Sequence, residues 1–167
     1  RLVMDVMNRK GGFHDQMKNA VGDDGFWWEG TISYHYYALQ ALMEMAAAVK
    51  PLGVDLTDET RFRSMFDVAA RLAYPDGRLP ALNDGDPARL ASYRPFAQWL
   101  AQQRGDAAAD LSPATHSVDM STLGLAILRA GAGQQQACAM LDYGPHGGGH
   151  GHFDKLQLIL YAGGREW

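Results

Sequence analysis

The sequence predicts an α+β fold in which a helical part, residues 1–110, is followed by an antiparallel β part, residues 111–167. Two patterns support this prediction. In the first part, apolar residues such as Ile32, Leu39 and Ala46 recur at helical spacing. In the second part, apolar runs are short and are separated by turn residues, which is typical of strands. Because the helices come before the strands, two consecutive parts are favoured, with residues 107–110 as their linker.

Three long helices are expected in the first part. One covers residues 31–50 and stops at Pro51, because proline cannot continue a helix. The next covers residues 58–74, carries acids in its first turn, and is ended by a Pro-Asp-Gly turn. The last is expected over residues 86–104, where Pro95 marks a kink or a fresh start.

The second part contains three expected strands. They cover residues 122–129, 136–143 and 155–161, and in the last of these leucines alternate with other residues. The chain begins without methionine and stops just after a hairpin-like turn at residues 162–165. We therefore expect a piece of a longer protein, in which the next partner of the last strand lies beyond Trp167.

Composition limits the classes of function. The chain of 167 residues, 47% hydrophobic and 20% charged, has a length and composition typical of a globular domain. No apolar run approaches the ~20 residues that span a bilayer. A net charge of -4 argues against a general nucleic-acid binder, which needs an excess of Lys and Arg. The single cysteine, Cys138, excludes an internal disulfide and is expected to be a small buried residue.

Two histidines, His150 and His152, lie in a glycine-rich loop just before the last expected strand. At this spacing the two imidazoles project to the same side, and the glycines allow a sharp turn and the close approach of a ligand. Imidazole can both ligate a metal and exchange a proton near neutral pH. The pair therefore predicts metal ligands, acid–base catalysts, or one of each.

A second stretch, residues 23–37, concentrates aromatic residues, a carboxylate and a histidine at the start of the first long helix. Aromatic faces with hydrogen-bonding tips bind sugars well, because they cover C–H surfaces and still satisfy hydroxyls. Trp27 and Tyr37 are candidates for such contacts, with anchoring of the core as the alternative for each. Tyr34 and Glu29 precede the long apolar stripe of the helix, so they are candidates for a functional role at its N-terminal end.

Four motifs occur in order along nearly the whole chain and include both stretches. They are Asp24-Gly25-x-Trp27-x-Glu29-Gly30 with Tyr34-His35-Tyr36-Tyr37-Ala38-Leu39, then Pro75-Asp76-Gly77-x-Leu79-Pro80-x-Leu82-x-Asp84, then Leu128-Arg129-Ala130-Gly131, and finally Gly149-His150-Gly151-His152-Phe153-Asp154-Lys155. Together they resemble the heparinase II/III-like polysaccharide lyases, a group that includes relatives acting on alginate oligomers.

The resemblance implies the C-terminal part of an (α/α) toroid followed by the start of an antiparallel β-sandwich domain, with the active site between them. It also implies cleavage of uronic-acid polysaccharides by β-elimination. In this reaction a neutralised carboxylate acidifies the C5 proton, a base removes the proton, and an acid protonates the departing oxygen. Since a phenol has an ordinary pKa of about 10, it is a poor base unless a cationic neighbour lowers that value.

The resemblance also assigns roles to single residues. The family's neutralising amide and its first histidine would precede the matched region, so this chain alone is expected to be inactive. A zinc site needs about three or four protein ligands, so the remaining ligands are expected beyond Trp167. By position, the catalytic residues are Tyr34 and His150, and the ligand of a structural zinc ion is His152. The predicted substrate contacts, from their place in the aromatic stretch, are Glu29, Trp27 and Tyr37.

The expected partner is an anionic polysaccharide or oligosaccharide, and the modest number of basic residues favours an unsulfated or lightly sulfated uronate. Neither nucleic acid nor a membrane is expected as a partner, and homodimer formation is left open. We predict a periplasmic or secreted location.

Two other functions fit parts of the sequence. His-x-His-x-Asp also occurs in metallo-β-lactamase-like hydrolases, where it binds zinc and a water is activated. Here Lys155 stands where that motif has a further histidine, and a long helical part precedes it. A non-catalytic glycan-binding fragment is the other alternative, although the presence of both Tyr34 and His150 argues against it.

Overall fold

The computed structural model describes residues 2–107, 111–144, 150–153 and 155–167. It confirms the α+β class, with helices first and an antiparallel sheet second. None of the helices in these ranges combines the length and apolar character needed to cross a bilayer. The helices are α1 (Leu2–Asn8), α2 (Phe13–Asn19), α3 (Ile32–Val49), α4 (Thr60–Ser64), α5 (Val68–Leu72) and α6 (Arg94–Arg104). The strands are β1 (Arg78–Leu79), β2 (Ala88–Arg89), β3 (Val118–Met120), β4 (Leu125–Ala130), β5 (Ala137–Asp142), β6 (Gln157–Ala162) and β7 (Arg165–Glu166).

Helix α3 matches its prediction within one residue at each end. Thr31 caps its start, because the Thr31 hydroxyl oxygen accepts a hydrogen bond from the backbone N–H of Tyr34 at 3.2 Å. A short 3₁₀ turn with Pro51 follows its last residue. The cap fixes the position of the first turn, which carries the predicted catalytic tyrosine. The face of α3 that enters the core consists of Ile32, His35, Tyr36, Leu39, Leu42 and Ala46.

The single helix predicted over residues 58–74 is wrong, because the chain breaks there into α4 and α5. In a continuous helix the carbonyl of Met65 would accept from the N–H of Ala69. Instead, Met65 O bonds to Nε2 of His35 at 2.8 Å, and Ala69 N–H donates to the Tyr36 hydroxyl at 3.2 Å. Two side chains of α3 therefore replace the bonds that would have continued the helix.

The single helix predicted over residues 86–104 is also wrong in its first part. Strand β2 pairs there with β1, a 3₁₀ turn spans Leu90–Tyr93, and α6 begins at Arg94. Pro95 lies in the first turn of α6, where its missing N–H has no intrahelical acceptor to lose. A helix running through Pro95 would bring its ring against the carbonyl of Ala91, so the proline marks a fresh start.

The main sheet is an antiparallel meander with the order β3-β4-β5-β6-β7. Its register aligns Ile127 with Met140 and Met140 with Ile159, and this face packs on the helices. The three predicted strands correspond to β4, β5 and β6. However, the expectation that the next partner of the last strand lies beyond Trp167 is wrong, because Ala162 of β6 pairs with Arg165 of β7.

The helical part and the sheet share one continuous hydrophobic core. Tyr74 stacks on Tyr161 of β6 with ring centroids 4.5 Å apart. Asp24, before α3, accepts a hydrogen bond at 2.9 Å from the backbone N–H of Leu123 in the β3–β4 turn. These contacts hold the sheet against the start of α3. Of the predicted linker, residues 108–110 lie outside the described residues, and the domain boundary at residue 110 stays a prediction.

The opposite face of the sheet is apolar and exposed. Leu128, Leu158 and Leu160 are 65%, 57% and 42% exposed, respectively, although each lies in a paired strand. Because apolar side chains on one sheet face are normally buried against another layer, this face has the composition of an interior surface.

Candidate active site

The structure brings the two predicted catalytic residues into contact. Tyr34 lies in the first turn of α3, and His150 lies in the loop that precedes β6. Their rings are stacked, with centroids 3.8 Å apart and planes inclined by 19°. A phenol and an imidazole, both capable of proton exchange, therefore lie within reach of a single sugar residue. Of the same histidine loop, residues 145–149 and Asp154 lie outside the described residues.

His150 is flanked by two carboxylates. Its Nδ1 lies 3.2 Å from Oδ2 of Asp84, and its Nε2 lies 3.7 Å from Oε1 of Glu29. Because an ionised carboxylate only accepts hydrogen bonds, Nδ1 of His150 must carry the hydrogen. In the neutral ring, Nε2 is then the atom with a free lone pair, and it can take up a proton.

Asp84 contacts both histidines of the loop. Its Oδ1 lies 2.6 Å from Nε2 of His152, while its Oδ2 contacts His150. The hydrogen bonds from His152, and secondarily from His150, hold the pKa of the Asp84 carboxyl below its usual range. Asp84 is therefore ionised at neutral pH and accepts from two imidazoles at once.

Asn83, which precedes Asp84, joins three segments of the chain. Its amide nitrogen donates to the carbonyl of Gly30 at 2.9 Å, and its amide oxygen accepts from the backbone N–H of His152 at 3.1 Å. Its backbone has φ of 51°, in the left-handed region that asparagine tolerates better than most residues. The Asn83 side chain thus links the start of α3 to the histidine loop.

Asn83 and Asp84 were not predicted from the sequence to be site residues. Asp84 appeared only as the last position of a motif, and the Asn83-Asp84-Gly85 run has the composition of an ordinary turn. The sequence did contain one indication that these residues have a polar role, because the tight turn carries both an amide and a carboxylate.

Glu29 is oriented by Trp27. The indole N–H of Trp27 donates to Oε2 of Glu29 at 2.7 Å, and Glu29 in turn lies against His150. The Trp27 ring is half-buried, whereas the neighbouring Trp28 is 52% exposed. Tyr37, the third predicted substrate contact, is 77% exposed and lies one helical turn after Tyr34. The aromatic surface available to a ligand therefore comes from Trp28 and Tyr37 more than from Trp27.

His35 has a structural position below the site. It is fully buried, its Nδ1 accepts from the backbone N–H of Trp27 at 3.1 Å, and its Nε2 bonds to the carbonyl of Met65 at 2.8 Å. Since a carbonyl cannot donate, the hydrogen sits on Nε2. Burial lowers the pKa of His35 from 6.5 to about 4, so the ring is neutral in the folded protein.

A cavity of about 390 Å³ lies at the junction of the helical part and the sheet, and neither Tyr34 nor His150 lines it. Asn83 and Trp27 belong both to its wall and to the hydrogen-bonded groups around His150. Two cations of the wall are paired with carboxylates, Arg61 with Asp23 and Lys155 with Asp142. Other lining residues are Lys18, Asn19, Trp28 and Thr122.

Within the described ranges, no three acid, cysteine or histidine side chains are arranged to hold a metal ion. The imidazole of His152, the predicted zinc ligand, is hydrogen-bonded to Asp84. These residues supply fewer ligands than a structural zinc ion needs. A zinc ion at His152 would therefore require ligands from outside the described ranges.

The fold and the site define an α+β protein in which a tyrosine of the helical part stacks on a histidine of the loop before β6. Residues 10–105 match the family model of the heparinase II/III N-terminus, and residues 112–167 match that of the heparinase II/III-like C-terminal domain. The chain therefore belongs to the heparinase II/III-like family of polysaccharide lyases. A search of curated proteins found no significant match.

Solved structures show the same fold. Heparan sulfate lyase HepC from Pedobacter heparinus aligns with a TM-score of 0.69 at 19% identity, over 92% of this chain and 26% of that one. The Heparinase III-BT4657 gene product aligns with a TM-score of 0.73 at 17% identity, over 95% of this chain and 27% of that one. The chain thus spans about a quarter of the length of these proteins.

Proposed function

We propose that this chain supplies the catalytic pair of a lyase that cleaves uronic-acid-containing polysaccharides by β-elimination. The observation that carries the proposal is the stacking of Tyr34 on His150, because these residues come from the two regions that match the two family models. Elimination needs one group to accept a proton and one to donate a proton, and a phenol beside an imidazole provides both. Family membership also favours a lyase over a zinc-dependent hydrolase.

The proposed reaction uses the two side chains in sequence. One of them removes the C5 proton of the uronate, and the electron pair forms the double bond between C4 and C5 as the C4–O bond breaks. The other protonates the departing oxygen. Nδ1 of His150 is engaged by Asp84. This supports proton exchange at the other ring nitrogen of His150, Nε2, which faces Glu29.

The polysaccharide is proposed to occupy the cavity whose wall includes Trp27 and Asn83, and to extend from it to Tyr34 and His150. A volume of about 390 Å³ lies within the usual range for ligand pockets. The exposed face of Trp28 provides a stacking surface for a sugar ring, and Tyr37 extends the aromatic surface along α3. Because two of the three cations that line the cavity, Arg61 and Lys155, are each paired with a carboxylate, a substrate of moderate charge is proposed over a heavily sulfated one.

The finer features of the family are proposed as well. The exposed apolar face formed by Leu128, Leu158 and Leu160 supports a β-sandwich, in which a second sheet would cover it. The helical part is proposed to belong to an (α/α) toroid. We further propose a structural zinc ion at His152, which takes no part in the elimination, and a periplasmic or secreted location.

The test is an assay of the complete protein that carries this chain. It is incubated with alginate, hyaluronan and heparan sulfate, and the ultraviolet absorbance of the unsaturated uronate product is followed. We expect product from at least one unsulfated polyuronate, and none from a variant with both Tyr34→Phe and His150→Ala. Binding of these polymers without any unsaturated product would contradict the lyase and favour a glycan-binding module.

A further inference from the structure

We infer that Asp84 is a positioning residue of this active site, which orients the ring of His150 and, together with Asn83, docks the histidine loop onto the helical part. The inference rests on the proposed elimination only in so far as His150 is its proton-exchanging group. The hydrogen bonds of the Asn83 and Asp84 side chains run to Gly30, His150 and His152, so their effect on the chemistry passes through the histidine loop.

The two oxygens of Asp84 define the orientation of two rings. Oδ2 lies 3.2 Å from Nδ1 of His150, and Oδ1 lies 2.6 Å from Nε2 of His152. Because the carboxylate binds the δ nitrogen of one ring and the ε nitrogen of the other, a flip of either ring would break a contact. The same arrangement selects the tautomer of His150 that keeps Nε2 available.

Asn83 fixes the backbone on both sides of the site. Its amide links the carbonyl of Gly30, directly before the Thr31 cap of α3, to the N–H of His152. The left-handed φ of 51° costs conformational energy in a non-glycine residue, which the two hydrogen bonds offset. The turn therefore sets the distance between the first turn of α3 and the histidine loop.

Loss of this support should affect turnover more than binding. A proton transfer requires the donor and acceptor within hydrogen-bond reach, so a freely rotating His150 ring would spend little time in the productive orientation. The substrate contacts proposed above, Trp28 and the cavity wall, do not include Asp84. An amide at this position has one acceptor oxygen and one donor nitrogen, so Asp84→Asn could serve only one of the two imidazole N–H groups.

The first experiment is a double-mutant cycle in the complete protein. We expect Asp84→Asn to lower kcat by about 10²-fold and to change KM by less than about twofold. In a His150→Ala background, Asp84→Asn should cause no further loss, because its effect passes through that ring. Asp86→Asn, an exposed carboxylate two residues later, should leave kcat unchanged. Equal losses in both backgrounds, or a loss confined to KM, would overturn the inference.

A second variant tests the backbone contribution. Asn83→Gly keeps the left-handed conformation accessible and removes both side-chain hydrogen bonds. It should lower kcat by roughly tenfold, in line with looser positioning of the loop. An unchanged kcat would contradict the role of Asn83.

A measurement without substrate separates this inference from the proposed function. Nitrogen NMR of the histidine rings should show His150 with its hydrogen on Nδ1 in the wild type and a loss of this preference in Asp84→Asn. If no polyuronate is cleaved but the tautomer depends on Asp84, the elimination fails while the positioning role stands. If His150 shows the same tautomer in both proteins, the positioning role fails whatever the activity.

Discussion

The ring of His150 lies 3.8 Å from the ring of Tyr34, although the two residues belong to regions that match different family models. Neither the helical part nor the sheet contains the pair by itself. Hydrogen bonds of Asn83 and Asp84 hold the histidine loop beside the start of α3, and the inference above makes the ring contact depend on them. Changes at the junction should therefore affect turnover even where they do not touch the substrate.

The first prediction concerns the phenol of Tyr34. In the complete protein, Tyr34→Phe should lower the rate of elimination by ~10²-fold or more while substrate binding stays close to the wild type, because only the proton-exchanging oxygen is lost. Steady-state kinetics and a direct binding titration measure the two effects. Tyr143→Phe is the matched control, since its hydroxyl bonds to Asp119 and it has no ring contact with His150. Near wild-type turnover of Tyr34→Phe would remove this residue from the mechanism.

The second prediction concerns Trp28. Trp28→Ala should raise KM by about tenfold and change kcat much less, since a stacking surface of this kind contributes roughly 1 kcal/mol or more to sugar binding. Trp167→Ala, which removes an exposed tryptophan outside the cavity, should leave KM unchanged. Equal KM values for Trp28→Ala and the wild type would show that the polymer does not bind along this wall.

The third prediction concerns the two loop histidines. His150→Ala should lower turnover with little effect on the melting temperature, whereas His152→Ala should lower both zinc content and stability, since a lost structural ligand costs folding energy. Metal analysis of the purified complete protein and thermal unfolding provide the measurements. His116→Ala, at an exposed histidine of the sheet region, is the control for both. Absence of bound zinc from the wild-type protein would refute the role of His152 as a ligand.

The fourth prediction concerns stability at low pH. The unfolded chain binds a proton at residue 35 below about pH 6.5, but the folded chain does so only below about pH 4, because burial depresses the pKa of His35. The contribution of neutral His35 to the free energy of unfolding is therefore complete above pH 6.5 and is lost as the pH falls towards 4. The loss amounts to about 3 kcal/mol in the free energy of unfolding.

Chemical unfolding across this pH window measures the effect. His35→Gln, whose amide does not titrate, should be less stable than the wild type at neutral pH and should lose less stability on acidification. His116→Gln should keep the wild-type pH dependence, because His116 is exposed. An identical pH dependence in His35→Gln and the wild type would show that another group is responsible.

The sequence predicted the parts of the fold that depend on local pattern. The apolar stripe of α3 and the Pro51 that follows it defined that helix within one residue, and the short apolar runs between turn residues identified β4, β5 and β6. The helix predicted over residues 58–74 failed for a tertiary reason. Its Met65 carbonyl and Ala69 N–H bond to side chains of α3, and no property of residues 58–74 by themselves reveals those partners.

The same distinction holds at the site. Tyr34 and His150 were identified as candidates from motifs, because a histidine pair among glycines and an aromatic cluster at a helix start are visible in the sequence. Their stacking, the bridging of both imidazoles by Asp84 and the φ of 51° at Asn83 were decided by the tertiary structure. The physical reason is that hydrogen bonds between segments far apart in the chain depend on how the sheet docks against the helices. A local sequence pattern contains no information about that docking.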